Sequence, residues 1–379
     1  MSALGRAPAA LALVAVLAIA GCTAGAPSAG IPPSATRDAT PAPTATEARS
    51  GFWRVAGDPV TLASRLAVPW SVVPLPGGGA LISSRDDGAI RELTPAGDVR
   101  EVGRVPGVVA GGESGLHGLA LRDEGDERWL YAYHGASADN RVVRMPLLGR
   151  NGALGIGEPE VILAGIPRAS THDGGRLAFG PDGLLYVTTG DAQQRDAAQD
   201  AASLGGKILR ITPEGDPAPG NPFGTTVYTL GHRNVQGIAW TSDGTMWASE
   251  FGQDTFDELN RIEAGGNYGW PVHEGVADDE DYIDPVATWA TDDASPSGIA
   301  AVGDTVFLAG LRGERLWVVD TGDSSAGPEA VLTGEQGRLR DVVAAPDGSL
   351  WVLTGNTDGR GSPRPEDDLL LRLELTRQG

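Results

Sequence analysis

HDGGRLAFGPDGLLYVTTGD, residues 172–191, sets a short apolar strand on each side of a GPDG turn, with a histidine at one end and an aspartate at the other. Such a unit reads as a β-hairpin, because Asp-Gly suits a tight turn and the flanking Leu, Phe, Tyr and Val suit pleated strands. Its turn-and-strand half recurs as PGGGALISS (76–84), GDERWLYAY (125–133), SDGTMWASE (242–250), VGDTVFLAG (302–310) and PDGSLWVLT (346–354). Six units spaced by 44 to 61 residues, each long enough for four short strands, specify an all-β fold: a six-bladed β-propeller of four-stranded antiparallel blades. The alternative, a two-sheet sandwich, would not require such regular recurrence. DLLLRLEL (368–375) is expected to end the last blade, and DPVTLASRL (58–66) to supply the strand that closes the ring.

Within the opening hairpin, a four-residue turn pairs Phe179 with Leu184, Leu177 with Tyr186 and finally His172 with Asp191. Aligning the copies on their turns sets His172 opposite Arg233 one blade later, and opposite Gly337, next to Arg338, in the last. Asp191 corresponds to Gly252 and to Arg312 in later copies. The chemistry-bearing residues therefore gather at strand entry and hairpin exit, on one rim of the ring.

Outside the repeats, MSALGRAPAALALVAVLAIAGC has the arginine, apolar run and small residues of a secretory signal, and IAGC resembles a bacterial lipobox. Residues 1–21 are thus expected to be a lipoprotein signal peptide, with lipid on Cys22, the sole cysteine. Residues 22–51 are rich in Ala, Pro and Thr and are expected to form a flexible tether, with 52–379 expected to form the propeller. The expected location is the outer face of the bacterial cytoplasmic membrane, with membrane contact through the lipid only. A net charge of −21 repels polyanions, so no nucleic-acid partner is expected.

A carboxylate beside a histidine orients the ring and raises its basicity, as a general base near neutral pH requires. His172 with Asp191 is that pair, although a structural pair has the same sequence signature; the other histidines (117, 134, 232 and 273) read as structural. Arg233, Arg312, Arg338 and Arg340 point to an anionic ligand, since guanidinium forks bind carboxylates bidentately. Calcium is the natural metal for a chain rich in oxygen ligands. SEFGQDTFDELNRIEAGGNYGWP (249–271) offers carbonyls at Gly252 and Gln253, then Asp257, Glu258 and the Tyr268 carbonyl. No EF-hand, Walker or GxSxG motif is present.

THDGGRLAFGPDG, TTGD, GGKILRI, YTLGHRNVQG, SEFG, GGNYGWP and RLRDVVAAPDG, in this order, resemble the soluble quinoprotein glucose and sorbosone dehydrogenases, especially the bacterial aldose sugar dehydrogenases. The resemblance implies a six-bladed propeller that uses pyrroloquinoline quinone (PQQ) and Ca²⁺ to oxidise aldoses at the anomeric carbon and passes electrons to an external acceptor. It implies that His172 is the base and Asp191 its orienting partner. Arg233 and Asn234 resemble the pair that contacts the quinone carbonyls, and Arg338 and Arg340 resemble arginines that hold PQQ carboxylates. The carbonyls of Gly252 and Gln253 take the positions that ligate the cofactor's calcium, while Glu258 and the Tyr268 carbonyl resemble part of a second calcium site.

Three positions depart from the pattern. Glu113 stands where some members have glutamine, and a carboxylate beside an anionic cofactor is repulsive unless protonated or paired. Arg312 replaces a lysine and Gln253 a proline. Two other readings fit the residues alone: a calcium-dependent propeller sugar lactonase, and a non-catalytic surface-binding propeller.

Overall fold

The computed structural model describes residues 51–378 apart from Asp126 and Ser324. The expected signal peptide, Cys22 and all but the last residue of the tether lie outside the described residues. What is described is a ring of six antiparallel sheets, as the repeats predict. Blade 1 contains Pro69–Pro74, Ala80–Ser84, Ala89–Leu93 and Val99–Arg104. Blade 2 contains Leu116–Asp123, Arg128–Gly135, Asn140–Leu148 and Glu160–Ile166, with the short Gly155–Ile156 added to its third strand. Blade 3 contains Leu177–Phe179, Leu185–Thr188, Ile208–Ile211 and Val227–Thr229. Val235–Trp240, Met246–Glu250, Phe256–Ile262 and Ala287–Ala290 make blade 4; Pro296–Val302, Thr305–Gly310, Arg315–Asp320 and Glu329–Val331 make blade 5.

Blade 6 joins the two ends of the propeller. Leu339–Ala344, Leu350–Thr354 and Leu370–Arg377 are completed by Trp53–Ala63, which pairs with the C-terminal strand from Trp53 opposite Arg377 to Ala63 opposite Leu370. The closing strand is thus the expected one, shifted towards the N-terminus. It ties the N-terminal end of the propeller to the C-terminal strand within one blade and so closes the ring.

Second strands such as Leu185–Thr188 are buried along their whole length, whereas the outer Val99–Arg104 is partly or fully exposed. Inner strands are covered on both faces by neighbouring blades, so they read as continuous apolar runs instead of alternating ones. Six apolar clusters follow, each shared by two adjacent blades; one joins Leu81 and Ile90 of blade 1 to Leu130 and Met145 of blade 2, another joins Phe307 of blade 5 to Val352 of blade 6.

The Asp-Gly turns repeat their chemistry as well as their sequence. Asp182, Asp243 and Asp347 each accept, at 3.0–3.1 Å, the N–H two residues on, across glycines with φ of 75–88°. The blade 3 turn corrects the expected register, however: Gly180 donates to the Leu184 carbonyl at 2.9 Å, so Phe179 pairs with Leu185 and Leu177 with Val187. That five-residue loop slips the strand by one position. In consequence the His172 backbone meets Ala192, whose N–H donates to the His172 carbonyl at 3.1 Å. His172 has φ 61°, and a Cβ on Gly190 would lie 1.8 Å from the His172 carbonyl oxygen. Only glycine tolerates that approach.

Candidate active site

Despite the register slip, His172 Nδ1 lies 2.7 Å from Asp191 Oδ1. Asp191 is completely buried, and its two oxygens also accept the Gln193 N–H at 2.8 Å and the Trp270 indole N–H at 2.9 Å. Burial alone would raise this carboxyl, but the His172 contact and the other donors outweigh it and hold the group below the usual carboxylate value. Asp191 therefore fixes the ring and assigns its proton to Nδ1.

The other ring nitrogen faces Arg233, whose Nη2 donates to His172 Nε2 at 2.9 Å. Arg233 also donates to the Phe251 carbonyl and the Gln253 side-chain oxygen, both at 3.2 Å. None of these partners is a carboxylate. Burial lowers the pKa of its guanidinium against the opposing pull of Asp191 and Glu250. Beside it, His232 is buried between Glu250 (2.7 Å) and Thr229 (2.8 Å), which is a structural placement.

A cavity of about 370 Å³ opens next to this group, lined by Trp70, Gln236 and Phe251 and by five arginines: Arg85, Arg312, Arg338, Arg340 and Arg360. Its two carboxylates are Glu113 and Asp358, so the lining residues alone carry five positive and two negative charges, a formal +3, with Asp86 and Asp292 paired to Arg85 and Arg312 from outside the lining. Against a chain charge of −21, that imbalance is a specific construction. Arg338 and Arg340 are both buried and share Asp358, at 2.9 and 3.3 Å. Burial pulls Arg340 down to about 10, while the two guanidiniums keep the Asp358 carboxyl low despite its own burial.

Glu113 bridges the two halves of the site. One oxygen pairs with Arg360 at 2.9 Å, and the other accepts the His172 backbone N–H at 3.0 Å. It is therefore paired, the condition under which a carboxylate is tolerated there. Arg312 reaches the cavity from an exposed position and pairs with Asp292 at 2.7 Å. Asn234 is buried, and its Oδ1 accepts the Gly174 N–H at 3.0 Å, clamping the turn behind His172; it does not line the cavity.

The expected calcium ligands lie on blade 4. Glu274 Oε1 accepts the N–H groups of Gln253, Asp254, Thr255 and Phe256 at 2.6–3.1 Å, and Asp257 accepts those of Gly252 and Ser295. That orders the loop while leaving the Gly252 and Gln253 carbonyls without backbone donors among the described residues. Glu258 accepts from Gly275 and Asn260, and burial followed by nearby Glu250 pushes it up to about 8. Gly252, Glu258 and Tyr268 share a cavity of about 10 Å³ with Glu250 and Glu274. Among the described residues no group of three or more His, Cys, Asp or Glu side chains is placed to hold a metal. Carbonyl and carboxylate oxygens suit calcium, but two carbonyls are a fraction of its six to eight ligands, so a cofactor-bound ion would draw the rest from the cofactor and water.

The sequence reading missed Trp270 as a partner of Asp191, and Arg85, Arg360 and Asp358 as walls of the arginine cavity. GGNYGWP carried the first signal. The others come from hairpin exits and a loop that no repeat marks.

A sequence model of the Glucose / Sorbosone dehydrogenase family matches residues 66–372. The chain belongs to that family. Family resemblance extends to solved structures: the PQQ-bound form of an aldose sugar dehydrogenase from Streptomyces coelicolor is 49% identical, covers 86% of this chain and 99% of its own, and superposes with a TM-score of 0.81. A putative oxidoreductase (glucose dehydrogenase) of Thermus thermophilus is 43% identical over 84% of this chain and 99% of its own, with a TM-score of 0.77. Aldose sugar dehydrogenase YliI of Escherichia coli is 30% identical over 80% of this chain and 92% of its own length.

Proposed function

We propose that this chain is a PQQ- and calcium-dependent dehydrogenase that oxidises aldoses at the anomeric carbon to lactones and passes the electrons to an external acceptor. The observation that carries the reading is the junction at Glu113 and Phe251 of two unlike halves: a carboxylate-held histidine and a cavity of formal charge +3. That excess charge fits a cofactor with three carboxylates, and neither hydrolysis nor plain surface binding calls for it.

Arg338 and Arg340, with Arg85, Arg312 and Arg360 around them, would hold the PQQ carboxylates, and Trp70 offers a ring face in the same wall. When bound, PQQ supplies the two-electron acceptor that takes hydride from the sugar. His172 Nε2 takes the proton of the anomeric hydroxyl once that hydroxyl displaces the Arg233 Nη2 donor, because Nδ1–H is committed to Asp191. Asp191 stabilises the imidazolium that forms. Arg233, anchored on the Phe251 carbonyl and the Gln253 side-chain oxygen, keeps its charge available for oxygen that becomes negative. Export and attachment through Cys22 complete the proposal, supported by the lipobox-like IAGC.

The test is to purify residues 51–379, add PQQ with Ca²⁺ and follow dye reduction with a panel of aldoses. The expected result is sugar-dependent reduction that disappears when Ca²⁺ is chelated before loading. Absence of a cofactor spectrum and of sugar-dependent reduction would overturn the reading.

A further inference from the structure

On the outer side of His172 lies a second cavity of about 280 Å³, lined by Thr171, His172, Asp191, Gln193, Arg195, Arg233 and Gln253. If His172 is the base, this is where the body of the sugar sits, so the inference rests on the function proposed above. Its only carboxylate, Asp191, is already engaged by His172, Gln193 and Trp270. Two guanidiniums remain. Arg233 is committed to the reacting end of the substrate, and Arg195 is not.

The Arg195 side chain makes no hydrogen bond or ion pair among the described residues; its guanidinium lies over the Trp270 ring, 4.4 Å from the centroid. Elsewhere on the same rim Arg312, Arg338, Arg340 and Arg360 each pair with a carboxylate. The backbone beneath Arg195 is tightly held. It opens the 3₁₀ turn Arg195–Ala198, and the buried Lys207 donates to the carbonyls of Ala197 (2.7 Å), Ala198 (2.9 Å) and Gly205 (2.7 Å). Gln199 ties the end of the turn to the Trp270 carbonyl at 2.7 Å and to Asn267 at 3.0 Å. Exposed to solvent and with no ion pair among the described residues, the Arg195 cation stacks on a ring that itself buttresses the base, a placement suited to receiving an anion.

We infer that Arg195 is a specificity-determining residue that recognises a carboxylate remote from the anomeric carbon, so that the substrates of this cavity include hexuronic acids. The planar fork of Arg195 binds the carboxylate, and the anomeric hydroxyl is left at His172 Nε2. Neutral aldoses meet the same fork through a hydroxyl, with a weaker contact.

The test compares D-glucuronate with D-glucose on the PQQ-loaded protein, for the native chain, Arg195→Gln and Arg195→Lys. The native chain is expected to oxidise glucuronate with a kcat/KM at least equal to that for glucose. Arg195→Gln should lower the glucuronate-to-glucose ratio about tenfold, mainly through KM, since a charge-assisted hydrogen bond carries about that factor. Arg195→Lys should restore part of the ratio. Binding of glucuronate to the loaded, dithionite-reduced protein by calorimetry gives a readout without turnover, and it should weaken in parallel. Glucose oxidation with no glucuronate oxidation or binding, or an equal loss for both sugars in Arg195→Gln, would overturn this inference and leave the dehydrogenase reading intact. Arg195-dependent glucuronate binding with no oxidation of any sugar would overturn the dehydrogenase reading instead.

Discussion

Blades 3 and 6 begin with the same hairpin, RLAFGPDGLLYVTT in one and DVVAAPDGSLWVLT in the other, and they carry opposite chemistry at the same rim. In blade 3, one carboxylate serves one histidine, and the pair is locked by Trp270 and Gln193. In blade 6, two buried guanidiniums share a single carboxylate, Asp358, which leaves positive charge unspent beside a cavity. The repeat fixes where a side chain stands. The balance of charge around it decides whether the place moves a proton or holds an anion.

Damage to the two blades should separate binding from turnover. The largest effect is expected from Asp191→Asn: kcat should fall about 100-fold or more, because the base loses the partner that fixes its tautomer, while PQQ affinity measured by spectral titration changes little. Arg340→Met should do the reverse, weakening PQQ binding about 10- to 100-fold with kcat at saturating cofactor within a few-fold. A kcat loss in Arg340→Met that saturating PQQ does not restore would erase the distinction between the blades.

Acid should reach both blades together. Asp191 and Asp358 are held below the ordinary value of 3.8 in the folded chain, so each contributes stability that is present above that value and lost as pH falls through its depressed folded value. Thermal unfolding followed from pH 5 downwards should show this loss, and Asp191→Asn should flatten the acid limb. Smallest of all, Arg312→Lys should change PQQ affinity less than about threefold, since an exposed pair such as Arg312 with Asp292 adds little. A tenfold loss there would move Arg312 into the core of the anion-holding half.

The ring was legible in the sequence because each Asp-Gly turn carries its own hydrogen-bonding instruction, repeated at Asp182, Asp243 and Asp347. His172 and Asp191 were legible as a pair through the same symmetry, yet their register was not. A turn of five residues in place of four moved the backbone partner to Ala192, and the positive φ of His172 accompanies the side-chain contact with Asp191. Glu113 showed its need for a partner without naming it. Arg360 meets it only because the ring brings the entry to blade 2 and the loop after the second strand of blade 6 to the same cavity. Asp358 was hidden for the same reason, and Trp270 because an indole in a loop gives no sign of which carboxylate it will reach.

The central claim, that blade 3 moves the proton and blade 6 holds the cofactor, is tested most directly by His172→Gln loaded with PQQ and mixed with an aldose in a stopped-flow spectrophotometer. Cofactor should bind in the same amount as in the native chain, and reduction by sugar should slow about 100- to 10,000-fold. Reduction at the native rate, with the cofactor bound, would contradict that claim.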